Sequence, residues 1–447
     1  MNARFRFSRL REFTLAFPVI LFLIGAPAPS LTKNTQPDLN VQRERGRAIL
    51  KILKEDLKKY YYDPNFRGID IEARFRAAEG KIKEAESVGH IFGAIAQAFF
   101  DLNDSHTFFL PPRGETRVAF GLQLQAVGDK VYIVAVKPES DAERKGVKAG
   151  DQVLSVSGFK PSREVLWKLL NIFYTLRPQP GLNLVLQSPD GGRRQLEVEA
   201  SFKQGNLTVD LGRLEYLDRP REVEDEDRYN PQRCVEAGDN LLVWKAPNFI
   251  APREELEEIM SNVRKREALI LDLRGNRGGY AETLEWFTGY FFDKKIKIAD
   301  LKGRKKMAPT ISVPHSGRVF KGKLVVLVDS MSASAAEIFA RVVQLEKRGL
   351  VIGDRTAGAV MQSRMYGHRL EAGKTVFFGA NIAGADVIMA DGKSLEGVGV
   401  TPDELLLPSA DDLSAKRDPL LSRAAALVGV ELPPDKAGAM FPIQWYK

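Results

Sequence analysis

The sequence predicts a chain of mixed class, α/β plus all-β, with a helical N-terminal region, an inserted β-rich module and an α/β core. Three observations lead there. Apolar residues recur at helical spacing between residues 41 and 112, short alternating strands fill 117–203, and near-continuous apolar strands alternate with helical stretches in 239–430. A chain of 447 residues exceeds what one core can hold, and 44% hydrophobic with 28% charged residues is an ordinary globular composition.

The N-terminus carries Arg4, Arg6, Arg9 and Arg11 ahead of an apolar stretch from Phe13 to Ile24, then Gly25-Ala26-Pro27-Ala28-Pro29-Ser30. A charged start, an apolar segment too short to span a bilayer comfortably and a small-residue zone predict a signal peptide over 1–30, cut near Ala28. The expectation is export to the periplasm or the extracellular space of a bacterial envelope. An uncleaved leader would instead keep the protein near the membrane. The single Cys234 has no partner for an intrachain disulfide. The formal charge of +8 includes +3 from the leader's four arginines and Glu12, so about +5 remains, which gives no reason to expect nucleic acid. Four scattered histidines and one cysteine are too few for a zinc site, so no metal and no cofactor are expected.

In the helical region, Ile49, Leu50, Ile52, Leu53 and Leu57 mark one apolar face, and Tyr60-Tyr61-Tyr62-Asp63-Pro64 ends it. A second apolar stretch, Ile91 to Phe100, runs into Leu102-Asn103-Asp104-Ser105-His106-Thr107-Phe108-Phe109. A polar knot after a buried helix suits a side chain held at a site, and of the four histidines only His106 has such surroundings. A lone histidine is more commonly a satisfied or exposed residue, so the knot needs a partner elsewhere.

The β-rich module opens with Val118 to Leu124 and the turn Gly128-Asp129-Lys130, followed by the strand Val131–Val136. A short helical segment around Ser140–Lys145, the turn–strand–turn Ala149 to Gly158, a helix Arg163–Phe173 and a strand Asn183–Gln187 complete it. After a mixed-charge linker over 204–238, the core shows strands near Leu241, Leu269, Leu324 and Val351, and a closing helix from Pro419 to Val428.

Two strand ends in the core carry chemistry. Ala268 to Arg274 reads as a buried parallel strand ending in Gly275-Asn276-Arg277-Gly278-Gly279, where backbone amides can approach an anion. A tight turn gives the same residues, and the Gly-Lys-Ser/Thr ending of a phosphate loop is missing. Leu324 to Val328 runs through Asp329-Ser330-Met331-Ser332-Ala333-Ser334 into a helical pattern with Ile338, Phe339, Val342 and Val343 on one face. A hydroxyl on that turn, at a helix N-terminus, can attack a carbonyl and hold the oxyanion. A serine there can also simply cap the helix.

Together these segments resemble the C-terminal processing (tail-specific) serine peptidases and their relative, the tricorn protease core. The resemblance rests on Asp104-Ser105-His106-Thr107, Leu273 to Gly279, Ser332-Ala333-Ser334-Ala335-Ala336-Glu337, Gly353-Asp354-Arg355-Thr356-Ala357-Gly358 and Glu396 to Asp403, in the family's order over about residues 45–430. It implies a crotonase/ClpP-like catalytic core and acyl transfer on polypeptides. Many members place a lysine where this chain has Ala359, so a Ser–Lys dyad is not available there. The tricorn-like branch matches instead: Ser334 as nucleophile, His106 as general base, Ser105 holding the imidazole and Glu396 as the acidic member. The amides of Gly278 and Ala335 would form the oxyanion hole. Met331 replaces a glycine common before the Ser-Ala-Ser core.

The inserted module resembles a PDZ domain, which binds peptides by strand addition. Phe120-Gly121-Leu122 would be its carboxylate-binding loop, with Gln123 departing from the usual pattern. The implied partner is an extended or unfolded polypeptide. The competing reading is a non-catalytic protein on the same fold that binds a peptide or an apolar ligand, because fold alone does not fix function.

Overall fold

Three helices begin the computed structural model, which describes residues 38–112, 116–204, 232–372 and 374–445. The signal peptide over 1–30 and the charged run Arg219–Arg228 therefore lie outside the described residues. The helices α1 (Leu39–Tyr60), α2 (Ile71–Lys83) and α3 (Val88–Phe100) start at polar caps where caps are found: Asp70 accepts from the Ala73 amide and Ser87 from that of His90. Their apolar faces meet through Ile49, Leu53, Leu57, Phe75, Ile82, Ile95 and Phe99. The helical pattern stops before His106, and the short strand β1 (Phe108–Leu110) follows it at once.

The β-rich module contains β2 (Thr116–Ala119), β3 (Leu122–Val127), β4 (Lys130–Val136), α4 (Asp141–Arg144), β5 (Gln152–Val156) and α5 (Leu166–Asn171). It closes with β6 (Gly181–Gln187), β7 (Arg193–Glu199) and β8 (Ser201–Gln204). Strands β3 to β7 pair antiparallel in sequence order, and β2 pairs with β8. Leu122, Leu124, Ile133, Val153, Leu182, Leu184 and Leu186 fill its core beneath α5. The helix expected over Arg163–Phe173 starts later and ends in a widened π turn, Ile172–Leu176.

The core sheet has β9 (Arg233–Ala237), β10 (Leu241–Lys245), β11 (Ala268–Asp272), β14 (Lys323–Val328), β15 (Leu350–Gly353) and β18 (Glu404–Leu405). All neighbouring pairs are parallel except β9 with β10. β11 is buried along its whole length, as the continuous apolar run predicts. The helices α6 (Arg253–Val263), α7 (Ala281–Thr288) and α8 (Ala335–Leu345) cover one face. Opposite it, α10 (Pro419–Val428) and α11 (Pro434–Ala439) pack on Val243, Ile270, Val325 and Leu327. The short α9 (Ala410–Ser414) precedes them.

A second sheet joins the halves. It holds β12 (Ile296–Gly303), β13 (Thr310–Ser312), β16 (Met361–Ala372) and β17 (Lys374–Met389), with β1 added at its edge. Phe108, Phe109 and Leu110 pair with Asn381, Ala380 and Gly379. Phe378, Ala380 and Ile382 of β17 enter the core of the N-terminal helices. That pairing brings the segment around residue 106 to the strands that leave the core sheet.

Candidate functional site

Ser334 lies between β14 and α8 with φ 55° and ψ −118°. A capping serine normally has an extended backbone, so this one is not an ordinary cap, and a non-glycine residue held at such angles stores strain of about 1–3 kcal/mol. Its surroundings hold it there. The Ser334 amide donates to the Ala359 carbonyl at 2.9 Å and to Glu337 Oε2 at 3.1 Å. Glu337, 0% exposed, also accepts from the Thr356 hydroxyl at 2.5 Å and from the amides of Gly358 and Ala359 at 2.8 and 2.9 Å. Burial raises its carboxyl to about 7, against the pull of those four donors. No sequence argument had singled Glu337 out, although a glutamate at the third helical position facing a serine cap is the pattern of a capping box.

The turn before Ser334 is organised by Asp329. Its Oδ1 accepts from the amides of Gly275, Met331 and Ser332, and Oδ2 accepts from Gln125 Nε2 of β3 at 2.8 Å. Ser330 donates to the Ala126 carbonyl at 2.5 Å, so the module's edge strand rests on the turn. Arg163 adds a buried contact. It pairs with Asp354 at 2.5 Å and donates to the carbonyls of Gly128 and Arg355.

The histidine is positioned from behind. Asp104 is buried, accepts from the amides of His106 and Thr107 and from the Tyr61 hydroxyl at 2.9 Å, and burial raises its carboxyl despite these bonds. The His106 carbonyl accepts from Asn381 Nδ2 at 2.7 Å. His106 Nδ1 lies 2.7 Å from Ser105 Oγ, and Ser105 Oγ donates to Glu396 Oε2 at 2.8 Å. The Ser105 and Val360 amides complete the Glu396 carboxylate. A hydroxyl has one proton. Given to Glu396, it leaves Ser105 as acceptor, so Nδ1 carries the ring proton and Nε2 is the basic nitrogen of the neutral imidazole. Burial raises the Glu396 carboxyl, and bonds from Ser105 and Val360 oppose that.

One cavity of about 1280 Å³ is lined by Ser105, His106, Ser334, Ala335 and Glu396 together. Five of the residues expected from the sequence thus face one space, supplied by segments some 290 residues apart. Among the described residues no hydrogen bond joins the His106 ring to the Ser334 hydroxyl. Gly278 departs from expectation: its N–H already donates to Asn276 Oδ1 at 2.8 Å. Gly278 still matters for room, since a β-carbon there would stand 2.7 Å from Ser334 Cβ and 2.9 Å from the Ala335 nitrogen. The next residue, Gly279, lines the cavity, and its N–H has no acceptor among the described residues. Asn276 went unrecognised; it is fully buried, and its Nδ2 donates to the Ala246 carbonyl. Phe120, Gly121 and Leu122 are buried and lie off the cavity wall, to which β3 contributes Leu124 and Ala126 instead. No cluster of metal-binding side chains occurs among the described residues.

The model of peptidase family S41 matches residues 243–406, the span from β10 to β18. The chain is 29% identical over 282 residues to the tail-specific protease of Haemophilus influenzae, covering 58% of this chain and 38% of that protein. It is 25% identical over 329 residues to the chloroplastic carboxyl-terminal-processing peptidase 1 of Arabidopsis thaliana, covering 70% and 62%. It therefore spans less than two thirds of the length of either relative. Among solved structures, mature CPAF superposes with a TM-score of 0.63 at 16% identity, over 84% of this chain and 94% of that one, which is a likeness of fold. The sequence match lies on the very strands and turns that carry Ser334 and Glu396, so residues 243–406 form a domain similar to those of peptidase family S41.

Proposed function

We propose that the protein is an exported serine endopeptidase that cleaves extended or unfolded polypeptides, with Ser334 as nucleophile and His106 as general base. The observation that carries this reading is the chain His106 Nδ1–Ser105 Oγ–Glu396 Oε2, with contacts of 2.7 and 2.8 Å, opening on the same cavity as a strained serine at a helix N-terminus. Substrate binding brings the reacting groups into hydrogen-bond reach, a tightening common between the free and the substrate-bound state. His106 Nε2 takes the Ser334 proton as Oγ attacks the scissile carbonyl, and returns it to the leaving amine. The positive charge that forms on the ring is stabilised through Ser105 by Glu396. Ala335 supplies one amide to the oxyanion. Gly279 supplies the other, because the Gly278 N–H is engaged by Asn276. Each such donor is typically worth about 3–4 kcal/mol of transition-state stabilisation.

The module over 117–203 acts in this reading as a PDZ-like domain on a crotonase/ClpP-like core, and its edge strand β3 guides substrate towards the cavity. A fluorophosphonate probe should label the wild-type protein at Ser334 and leave Ser334→Ala unlabelled. Well-folded wild-type protein that stays unlabelled between pH 6 and 9 would point to a peptide-binding protein without hydrolysis. Normal turnover by His106→Ala would require a different base.

A further inference from the structure

Lys168 sits on α5, on the wall that the module contributes to the Ser334 cavity. Its ammonium lies 5.5 Å from the ring centroid of Trp167 and 6.0 Å from that of Phe100, two rings that themselves meet edge-on at 5.3 Å. Burial pulls its proton affinity below that of a free lysine, opposed only by the charge of Asp101. Asp101 is committed elsewhere, to Arg74 at 2.7 Å and Gln97 at 2.7 Å. Among the described residues no carboxylate stands within 4.0 Å of the Lys168 ammonium. Arg163, on the same wall, differs in being spent on Asp354.

An ammonium that has given up part of its water without gaining an anion is in an unfavourable state. Aromatic faces offset some of that cost, but they cannot replace a charged acceptor. A carboxylate arriving in the cavity recovers the remainder. The loop Phe120-Gly121-Leu122, which the sequence suggested for carboxylates, lies off this wall, so of the two cations the module contributes to it, Lys168 is the one left for an entering anion. We infer that Lys168 is the group that recognises a carboxylate on the bound polypeptide, either its free C-terminus or an acidic side chain. This specificity role rests on the peptidase reading for its meaning, but its test does not depend on turnover.

The test uses three fluorescein-labelled decapeptides of one apolar sequence: a free acid, a C-terminal amide, and an amide with glutamate at the penultimate position. Each is titrated by fluorescence anisotropy into the full-length Ser334→Ala protein, and into the same protein carrying Lys168→Met or Lys168→Arg. The free acid, the glutamate amide or both should bind about tenfold more tightly than the plain amide. If the glutamate peptide recovers that tenfold, an acidic side chain serves as the anion; if only the free acid binds tightly, the chain terminus does. Lys168→Met should erase the preference, and Lys168→Arg should retain it while showing that the wall still folds. Equal binding of all three peptides, binding of none, or a preference that survives Lys168→Met overturns the inference. A wild-type protein that never cleaves would sink the peptidase reading alone, because binding is read in a protein that cannot turn over.

Discussion

Glu337, fully buried, and Glu396, half-buried, both accept backbone amides beside the same cavity, and burial raises both carboxyls. They differ in what lies at the far end of their hydrogen bonds. Glu337 ends on the Thr356 hydroxyl and the amides of residues 334, 358 and 359, so its two oxygens hold a turn in shape. Glu396 reaches the imidazole of His106 through one hydroxyl, so its charge is felt by the ring that takes up a proton in the proposed reaction. One residue type, in two degrees of burial, thus gives one glutamate bonded to the turn that carries Ser334 and one bonded to the hydroxyl beside His106.

The largest effect expected from this contrast is on turnover. Glu396→Gln should lower kcat by about 10²–10⁴-fold, the range seen when the acid behind a catalytic histidine is neutralised, with little change in unfolding free energy. A loss in stability matching that of Glu337→Gln would erase the distinction. Ser105→Ala should cost less, about 10–100-fold in kcat, because water can take the place of the hydroxyl between imidazole and carboxylate. Glu337→Gln should show itself first in stability. An amide nitrogen facing the N–H groups of Ser334 and Ala359, or the donors on the other side, leaves buried groups unpaired, a loss of about 2–4 kcal/mol by chemical denaturation.

The smallest effect is a pH slope. The Glu337 carboxyl goes from an ordinary value of 4.5 in the unfolded chain to about 7 in the fold, so the folded state binds the proton more tightly. Its stabilising contribution is complete below the unfolded value and is lost as pH rises through 7, by at most about 3 kcal/mol. Wild type should therefore lose stability between pH 5 and 7 relative to Glu337→Gln, measured by denaturation across that range. A flat difference would mean that the four donors, and not burial, set the state of this carboxyl.

How far the molecule could be read from its sequence depended on whether the signal was local. Ser334, His106 and Ser105 stand in short segments where polarity breaks an apolar pattern, and the core strands β10, β11, β14 and β15 are apolar runs that betray themselves. The long hairpin β16–β17 gave no such pattern, because charged residues interrupt β16 and glycines at 379 and 384 interrupt β17. Asp329, Asn276 and Tyr61 were invisible for a different reason. Each works through partners made neighbours only by the fold: Gln125 for Asp329, Ala246 for Asn276, Asp104 for Tyr61. The engagement of the Gly278 N–H by Asn276 was not legible either, since nothing in a glycine pair says which amide a neighbouring asparagine will occupy.

Arg163 and Asp354 are 9% and 8% exposed at their side chains, and they tie the inserted module to the loop that leads into Thr356. A chain shortened by cutting out residues 117–203 would take from Asp354 both Arg163 and the Gly128 amide, and would open the loop to water. Excision would therefore report on the damaged loop as much as on the missing insert. Whether the insert matters to the reaction is better asked by single replacements on its own surface.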